Sequence, residues 1–301
     1  MSMPAAVSLW EAGARDGLQN EAVEVSTAIK IELIERLAGC GLKKIEAASF
    51  VSPKWVPRMA DSAAVMAGLR REPGVVYQAL TPNLRGVAAA VAAKVEHIAV
   101  FPAASESFSR RNLNSSIADS MAGIAKVCAE AKARGLRVRG FISTVIGCPF
   151  EGAVEPEKVA AIARTLLDLG CSDIGLGDTI GVGTPRQVRK LIEACAEVVP
   201  LEKLGVHFHD TYGQALANIL MALEMGVAVI DSSVAGLGGC PYAPGATGNV
   251  ATEDVVYMLD GLGIDNGVDL AELVRTAWWI SDRLGRPPVS RVARALKSKC
   301  L

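Results

Sequence analysis

The chain has no CxxC pair, no run of five like charges, no apolar stretch long enough to cross a bilayer, and only three histidines in 301 residues. Each absence removes a class of protein. Seven cysteines, Cys40, Cys128, Cys148, Cys171, Cys195, Cys240 and Cys300, are scattered and odd in number, which argues for reduced thiols rather than a disulfide framework or a zinc finger. The 31 basic and 32 acidic residues nearly cancel, so no nucleic-acid tract and no acidic tail is expected, and the partners implied are small molecules. A phosphorylated ligand stays compatible, because Arg15, Lys54, Arg58, Arg110 and Arg111 supply local positive charge. Apolar stretches such as GVAAAVAA are cut by Lys94 and Glu96, well short of the roughly 20 residues that span a membrane. No basic residue precedes Arg15, so the start lacks the charged front of a signal peptide and the Arg-rich face of a transit peptide. A cytoplasmic protein without a membrane partner is expected.

What is there is half hydrophobic residues, enough to bury one large core. Eight short β-rich runs, VSLWEA, KKIEAASF, VVYQAL, HIAVF, RVRGFIS, DIGLGD, GVHFHD and AVIDSSV, alternate with longer helix-patterned segments. The helices are expected to begin near Ser26, Met59, Leu84, Ser115, Pro156, Thr184, Tyr212 and Asn249, several announced by capping or proline signals such as STAIKIE, EPEKV and TPRQV. This eightfold rhythm over about 250 residues predicts an α/β fold, a (β/α)8 TIM barrel. An open doubly wound sheet is the competing architecture, and it loses support because no GxGxxG follows the first strand. Residues 264–301, with the helical pattern LAELVRTAWWISDRL ended by Gly285 and Pro287-Pro288, read as a short C-terminal helical appendage on a single catalytic domain spanning 1–301. The apolar surface around Trp278 and Trp279 suggests a homodimer.

Barrel active sites form at the carboxyl ends of the strands, and the reactive residue types collect there. Arg15-Asp16 follows the first strand, Glu46 ends the second, Asp178 the sixth, and His207 and His209 the seventh, while Cys240 and Asn249 follow the eighth. Residues two apart on a strand face the same side, so His207 and His209 both face the barrel mouth, with Phe208 turned toward the helices. An arbitrary HxH is as often a pair of hydrogen-bonded core histidines; two of three histidines at one strand end favour a metal. Asp16 and Asn249 are the oxygen donors on the same rim, and a mixed N/O set suits Mg2+ or Mn2+ better than a closed zinc site. Asp16 could equally be a turn residue before Gly17, and Asn249 the N-cap of the next helix. The stretch from Val234 to Asn249 holds five glycines, two prolines and Cys240. It reads as a loop able to fold over a site and offer a thiol acid or base, or as a phosphate cradle or a tight turn. Arg15 reads as a surface ion pair with Asp16, or as a fixed guanidinium for a developing enolate.

Taken together, ARDGLQNE (14–21), IEAASFVSPKWVPRMAD (45–61), LTPNLRG (80–86), ISTVIGCPFEG (142–152), LGDTIGVGTP (176–185), HFHDTYGQALAN (207–218) and VAGLGGCPYAPGATGNVATEDVVYML (234–259) resemble the HMG-CoA lyase family of metal-dependent TIM-barrel lyases. The resemblance implies a retro-Claisen cleavage of an acyl-CoA, 3-hydroxy-3-methylglutaryl-CoA, to acetyl-CoA and acetoacetate, as in leucine catabolism or ketone-body formation. It implies metal ligation by Asp16, His207, His209 and Asn249, enolate stabilisation by Arg15, and proton transfer by His207 and Cys240 in an order the motifs leave open. Glu46 and Asp178 match acidic positions that orient arginine, ligands, substrate or water, and Glu253 is placed to support Asn249. Alanine stands where relatives often have proline before Arg15-Asp16, and Pro244 and Thr247 depart from the usual loop; no reacting group is lost. Cys300 resembles a tail cysteine of some relatives and reads as an inert free thiol. Two alternatives remain: a lyase for the longer 3-hydroxy-3-isohexenylglutaryl-CoA, and a Claisen-type acyltransferase, whose usual long carboxyl-terminal regions this chain of 301 residues lacks.

Overall fold

The computed structural model describes residues 3–239 and 248–300. Eight parallel strands close into a barrel in the order one, eight, seven, six, five, four, three, two. They are Ser8–Glu11, Lys44–Ser49, Val76–Leu80, His97–Val100, Arg137–Ser143, Ile174–Asp178, Leu204–Phe208 and Val229–Ser232, each within an expected run except that the seventh begins one residue earlier, at Leu204. A barrel strand covered by helices outside and side chains inside is buried on both faces, so it shows as a nearly unbroken apolar run. Leu204–Phe208 is buried at every position.

Most helices start where a cap stops the backbone from continuing as strand or loop. Ser26 and Asn83 accept from Ile29 and Gly86 at 3.4 and 3.0 Å, and Thr184 with Gln187 forms a capping box before Pro185. Four starts differ from expectation. A single 3-10 turn, Pro57–Met59, precedes the helix Ser62–Gly68; the helices expected near Tyr212 and Asn249 begin at Ala215 and Thr252. The fourth connection holds two helices, Glu106–Leu113 and Ile117–Ala133. The first of these went unread because ESFSRRNL shows only two buried residues, Phe108 and Ser109, too few for a periodic stripe. A small hairpin, Gly147–Cys148 with Gly152–Ala153, was likewise unread.

The carboxyl-terminal stretch is built on Leu270–Arg283, followed by the short helices Arg291–Ala295 and Lys297–Cys300. Leu273, Val274, Ala277 and Ile280 of the first are fully buried, so it is part of the packed body. Trp278 donates to the Ala293 carbonyl at 2.8 Å and lies under Lys297, and Trp279 lies between Arg36 and Arg283. Each ring is thus partly covered within the chain and partly exposed.

Register decides what fills the barrel. Paired residues in parallel strands share a face, and Ala99 pairs with Arg139, Leu80 with Ala99, Trp10 with Asp231, Asp231 with His207, and His207 with Gly177. Arg139 is the hub. Its guanidinium meets Asp231 through two hydrogen bonds, 3.0 and 2.8 Å, lies 2.7 Å from Asp173, and stacks 4.8 Å from the Trp10 ring. Glycines leave room for so large a side chain: a Cβ at Gly175 would lie 3.3 Å from Arg139, and one at Gly205 3.1 Å from it. Burial lowers the affinity of the guanidinium for its proton, but Asp231 and Asp173 outweigh it and leave Arg139 more firmly charged than usual. Removing one member of such a group strands a buried charge. Arg139→Met is therefore expected to lower the unfolding free energy by about 3–5 kcal/mol, read from urea unfolding; a loss below about 1 kcal/mol, the value of a surface pair, would show that the group is not a structural anchor.

Candidate active site

At the end of the first strand the chain enters one widened helical turn, Gly13–Gly17, which aims Arg15 and Asp16 across the barrel mouth. Such turns need close packing here. A Cβ on Gly17 would lie 2.6 Å from Leu237, and one on Gly13 2.6 Å from Glu11. Arg15 donates to Asp16 at 2.9 Å and to Glu46 at 2.6 Å, which clamps the guanidinium between two carboxylates. Burial lowers its proton affinity, yet Glu46 and Asp16 together raise it above the ordinary arginine value. For Glu46 burial is the stronger influence and raises its pKa, with Arg15 pulling the other way.

Asp16, His207 and His209 each bring one ligand atom into a group whose atoms all lie within 4.8 Å of one another. Among the described residues this is the one cluster of at least three His, Cys, Asp or Glu side chains so disposed. Burial would raise Asp16, but Arg15, then His207, His209 and the Asn249 amide, hold it ionised with a pKa of about 2. Burial, and then His207, push His209 down to about 4, leaving a neutral imidazole. Both histidines bury an Nδ1 with no hydrogen-bond partner, and the Nδ1 of His207 faces Asp231 at 3.5 Å. An anionic carboxylate, two imidazoles and an amide are a donor set a divalent cation fits.

Asn249 reaches the cluster because residues 248–250 fold back along the end of the seventh strand: Asp210 donates to the Gly248 carbonyl at 2.7 Å and Val250 to that of Phe208 at 3.3 Å. Its amide donates to Asp16 at 2.8 Å and to the Leu237 carbonyl at 3.2 Å. The helix cap falls instead at Ala251. Asp178 ends the sixth strand. Fully buried and off the cavity wall, it accepts from Gly183 at 2.7 Å and shapes the turn after the sixth strand, with burial raising its pKa to about 6 against three backbone hydrogen bonds. Glu253 is corrected. It accepts from Ala235 at 2.8 Å rather than from Asn249. Ala235 sits at φ 60°, a left-handed conformation that the bond to Glu253 helps hold. Cys240 lies outside the described residues.

Four contributors were missed in the sequence. Arg139 and Asp231 stand at inward positions of RVRGFIS and AVIDSSV, and a charge inside an otherwise apolar strand was the signal. Glu11, fully buried, accepts from Gly13 at 2.7 Å, Val234 at 2.9 Å and Thr252 at 2.6 Å, joining the first strand to the segment after the eighth. Glu21 accepts from Gly238 at 3.0 Å and pairs with Arg286. Together these carboxylates fix both ends of the stretch that holds Cys240.

All of this opens on a cavity of about 700 Å³ lined by Arg15, Asp16, Glu46, Arg139, His207 and His209 together with Leu80, Ala99, Phe101 and Phe141. A closed parallel barrel with a group of side chains able to hold a cation at the strand ends defines an enzyme-type (β/α)8 barrel with its site in the usual place. The chain belongs to the HMGL-like family, whose model matches residues 6–280. It is 56% identical, over 99% of this chain and 100% of the relative, to the 3-hydroxy-3-isohexenylglutaryl-CoA/hydroxy-methylglutaryl-CoA lyase of Pseudomonas aeruginosa. The crystal structure of hydroxymethylglutaryl-CoA lyase from Pseudomonas aeruginosa superposes with a TM-score of 0.97 at 56% identity, covering 99% of this chain and all of that one. An HMG-CoA lyase from Acenitobacter baumannii in complex with coenzyme A and 3-methylmalate gives 0.92 at 36% identity, covering 97% and 95%.

Two outcomes follow from this geometry. His209→Ala is expected to weaken Mn2+ binding at least as much as loss of an outer partner does, roughly 10–100-fold, in a calorimetric titration; unchanged affinity would remove His209 from the ligand set. Glu253, whose burial pushes it up to about 8 from 4.5, stays protonated in the fold where the unfolded chain has already ionised. Its contribution is thus fully present below pH 4.5 and is lost as the pH rises toward about 8. Glu253→Gln should flatten the fall in urea stability between those pH values, and an unaltered slope would assign the fall to other groups.

Proposed function

We infer that this chain is a hydroxymethylglutaryl-CoA lyase, cleaving 3-hydroxy-3-methylglutaryl-CoA to acetyl-CoA and acetoacetate. The observation that carries the reading is the meeting of a clamped guanidinium with a carboxylate–imidazole–amide donor set on one cavity, in a chain of this family. Asp16, His207, His209 and Asn249 would hold a divalent cation, Mg2+ or Mn2+, whose chemistry is to make an alcohol bound to it a stronger acid and to neutralise a carboxylate.

The bond to be broken joins the carbinol carbon to the α-carbon of the thioester. As the hydroxyl proton leaves, the oxygen lone pair forms the ketone of acetoacetate, and the electrons of the carbon–carbon bond pass to the thioester as an enolate. Arg15 is the residue to stabilise that enolate. Glu46 and Asp16 each engage one terminal nitrogen, so the guanidinium is fixed before substrate arrives while further N–H donors stay available to the oxygen. His207, its ring edge-on to Phe141 and its Nδ1 toward Asp231, is held to exchange the hydroxyl proton. Cys240 is the candidate donor to the enolate carbon, completing acetyl-CoA.

The further context is also a proposal: action in leucine degradation, a cytoplasmic setting, which the free cysteines among the described residues suit, and no membrane partner, no described helix being long and apolar enough to cross one. The test pairs chelation with mutation. EDTA should abolish cleavage and Mg2+ or Mn2+ restore it, while Arg15→Gln with the ion restored should lower kcat by roughly 10²-fold, as loss of one oxyanion donor does. Full turnover in metal-free protein, or a wild-type kcat in Arg15→Gln, would overturn the assignment.

A further inference from the structure

Donors and acceptors on the cavity wall do not balance. Of the buried side-chain nitrogens that line it without a hydrogen bond, those of Trp10, Arg15, His207 and His209 belong to the first and seventh strands or the turns that follow them. The Nε of Arg139 is held 2.7 Å from Asp173. That leaves the amide nitrogen of Gln78, on the third strand. Gln78 is 2% exposed, and its Nε2 has no hydrogen-bond partner among the described residues. A buried donor left unpaired is destabilising until a ligand or a water takes it. Leu80, two residues on and therefore on the same face, lines the same cavity, so the amide is turned into it.

Strand order fixes what Gln78 looks toward. In the closed barrel the third strand is separated from the seventh by three strands in either direction, so Gln78 stands across the cavity from His207 and His209. Its partner in register on the second strand is Glu46, the carboxylate that clamps Arg15. A substrate with its hydroxyl at the donor cluster and its thioester oxygen at Arg15 turns its remaining groups, the methyl branch and the free carboxylate, toward the third, fourth and fifth strands. Leu80 and Phe141 offer the methyl group an apolar contact, whereas a methyl group against Gln78 would leave Nε2 unpaired. A carboxylate accepts on both oxygens, so it can face the donor cluster with one and Gln78 with the other. Arg139 is already committed to Asp231 and Asp173, and the hydroxyl of half-buried Ser143 is within reach of water.

Resting on the lyase reading, we propose that Gln78 is a substrate-binding residue whose amide N–H donates to the free carboxylate of 3-hydroxy-3-methylglutaryl-CoA and so selects esters that carry one. That carboxylate passes unchanged from the ester into acetoacetate. The bond is therefore as strong in the bound substrate as in the transition state, and it serves affinity rather than the rate of cleavage.

The experiment compares the wild type, Gln78→Leu, Gln78→Met and Gln78→Glu, all with Mn2+, using two ligands that differ by one carboxylate. The methylglutaryl ester is the substrate; 3-hydroxy-3-methylbutyryl-CoA, with a hydrogen in place of the carboxylate, is the competitive inhibitor. In Gln78→Leu the KM of the substrate should rise by about 10–150-fold, the range for a hydrogen bond to a charged group, with kcat nearly kept. The Ki of the carboxylate-free ester should stay at its wild-type value. Gln78→Met, closer in shape to glutamine, reads the same split should the leucine variant not fold, and Gln78→Glu should raise KM further by setting one carboxylate against another. Equal rises in KM and Ki, which a merely structural role would give, or an unchanged KM in folded Gln78→Leu or Gln78→Met, would overturn the proposal and leave the lyase reading standing. A wild type that does not cleave the methylglutaryl ester in the presence of Mn2+ would overturn both.

Discussion

A charged guanidinium inside the barrel, that of Arg139, is the constraint around which the rest is arranged. Desolvating it costs several kcal/mol unless it is answered by charge and hydrogen bonds of good geometry. Asp231 and Asp173 supply them, and the Trp10 ring covers one face. Satisfying Arg139 then settles other matters. Together with Phe141 and Val229 it leaves little room for a Cβ at Gly175 and Gly205 on the sixth and seventh strands, and its partner Asp231 faces His207. The floor of the cavity and the orientation of one ligand candidate therefore descend from a single buried ion.

A second layer of organisation is made of backbone bonds to carboxylates. Glu11 and Glu253 take the consecutive amides of Val234 and Ala235, and Glu21 takes that of Gly238. Burial, working against these hydrogen bonds, still raises Glu11 to about 7 and Glu253 to about 8. Side chains at three distant places in the chain thus shape one short segment, where a glycine-rich sequence by itself would specify no single path.

This division explains what could be read from the sequence. The eight strands were legible because burial on both faces leaves apolar runs bounded by turn residues, and His207 with His209 because two of the three histidines fall two apart at one strand end. Arg15 and Asp16 were legible as a pair, but the clamp from Glu46, 31 positions away, needed the fold. Asp178 shows a limit of local pattern: a carboxylate at a strand end serves a turn as readily as a ligand, and its bond from the Gly183 amide needed the fold. The partnership of Arg139 with Asp231 spans 92 positions, and no local pattern carries it. Helix Glu106–Leu113 was lost because its contacts are few.

The Asn249 amide belongs to two structures at once, since it binds both Asp16 and the Leu237 carbonyl. Occupancy of the donor cluster and the seating of the segment on either side of Cys240 are therefore joined by one hinge pin. Thermodynamic linkage makes such a joint reciprocal: if filling the cluster favours the seated segment by some factor, seating the segment tightens the cluster by the same factor. A group that fills the donor cluster would thereby steady Leu237 and Gly238 as well, and whatever steadies those residues would tighten the grip of the cluster.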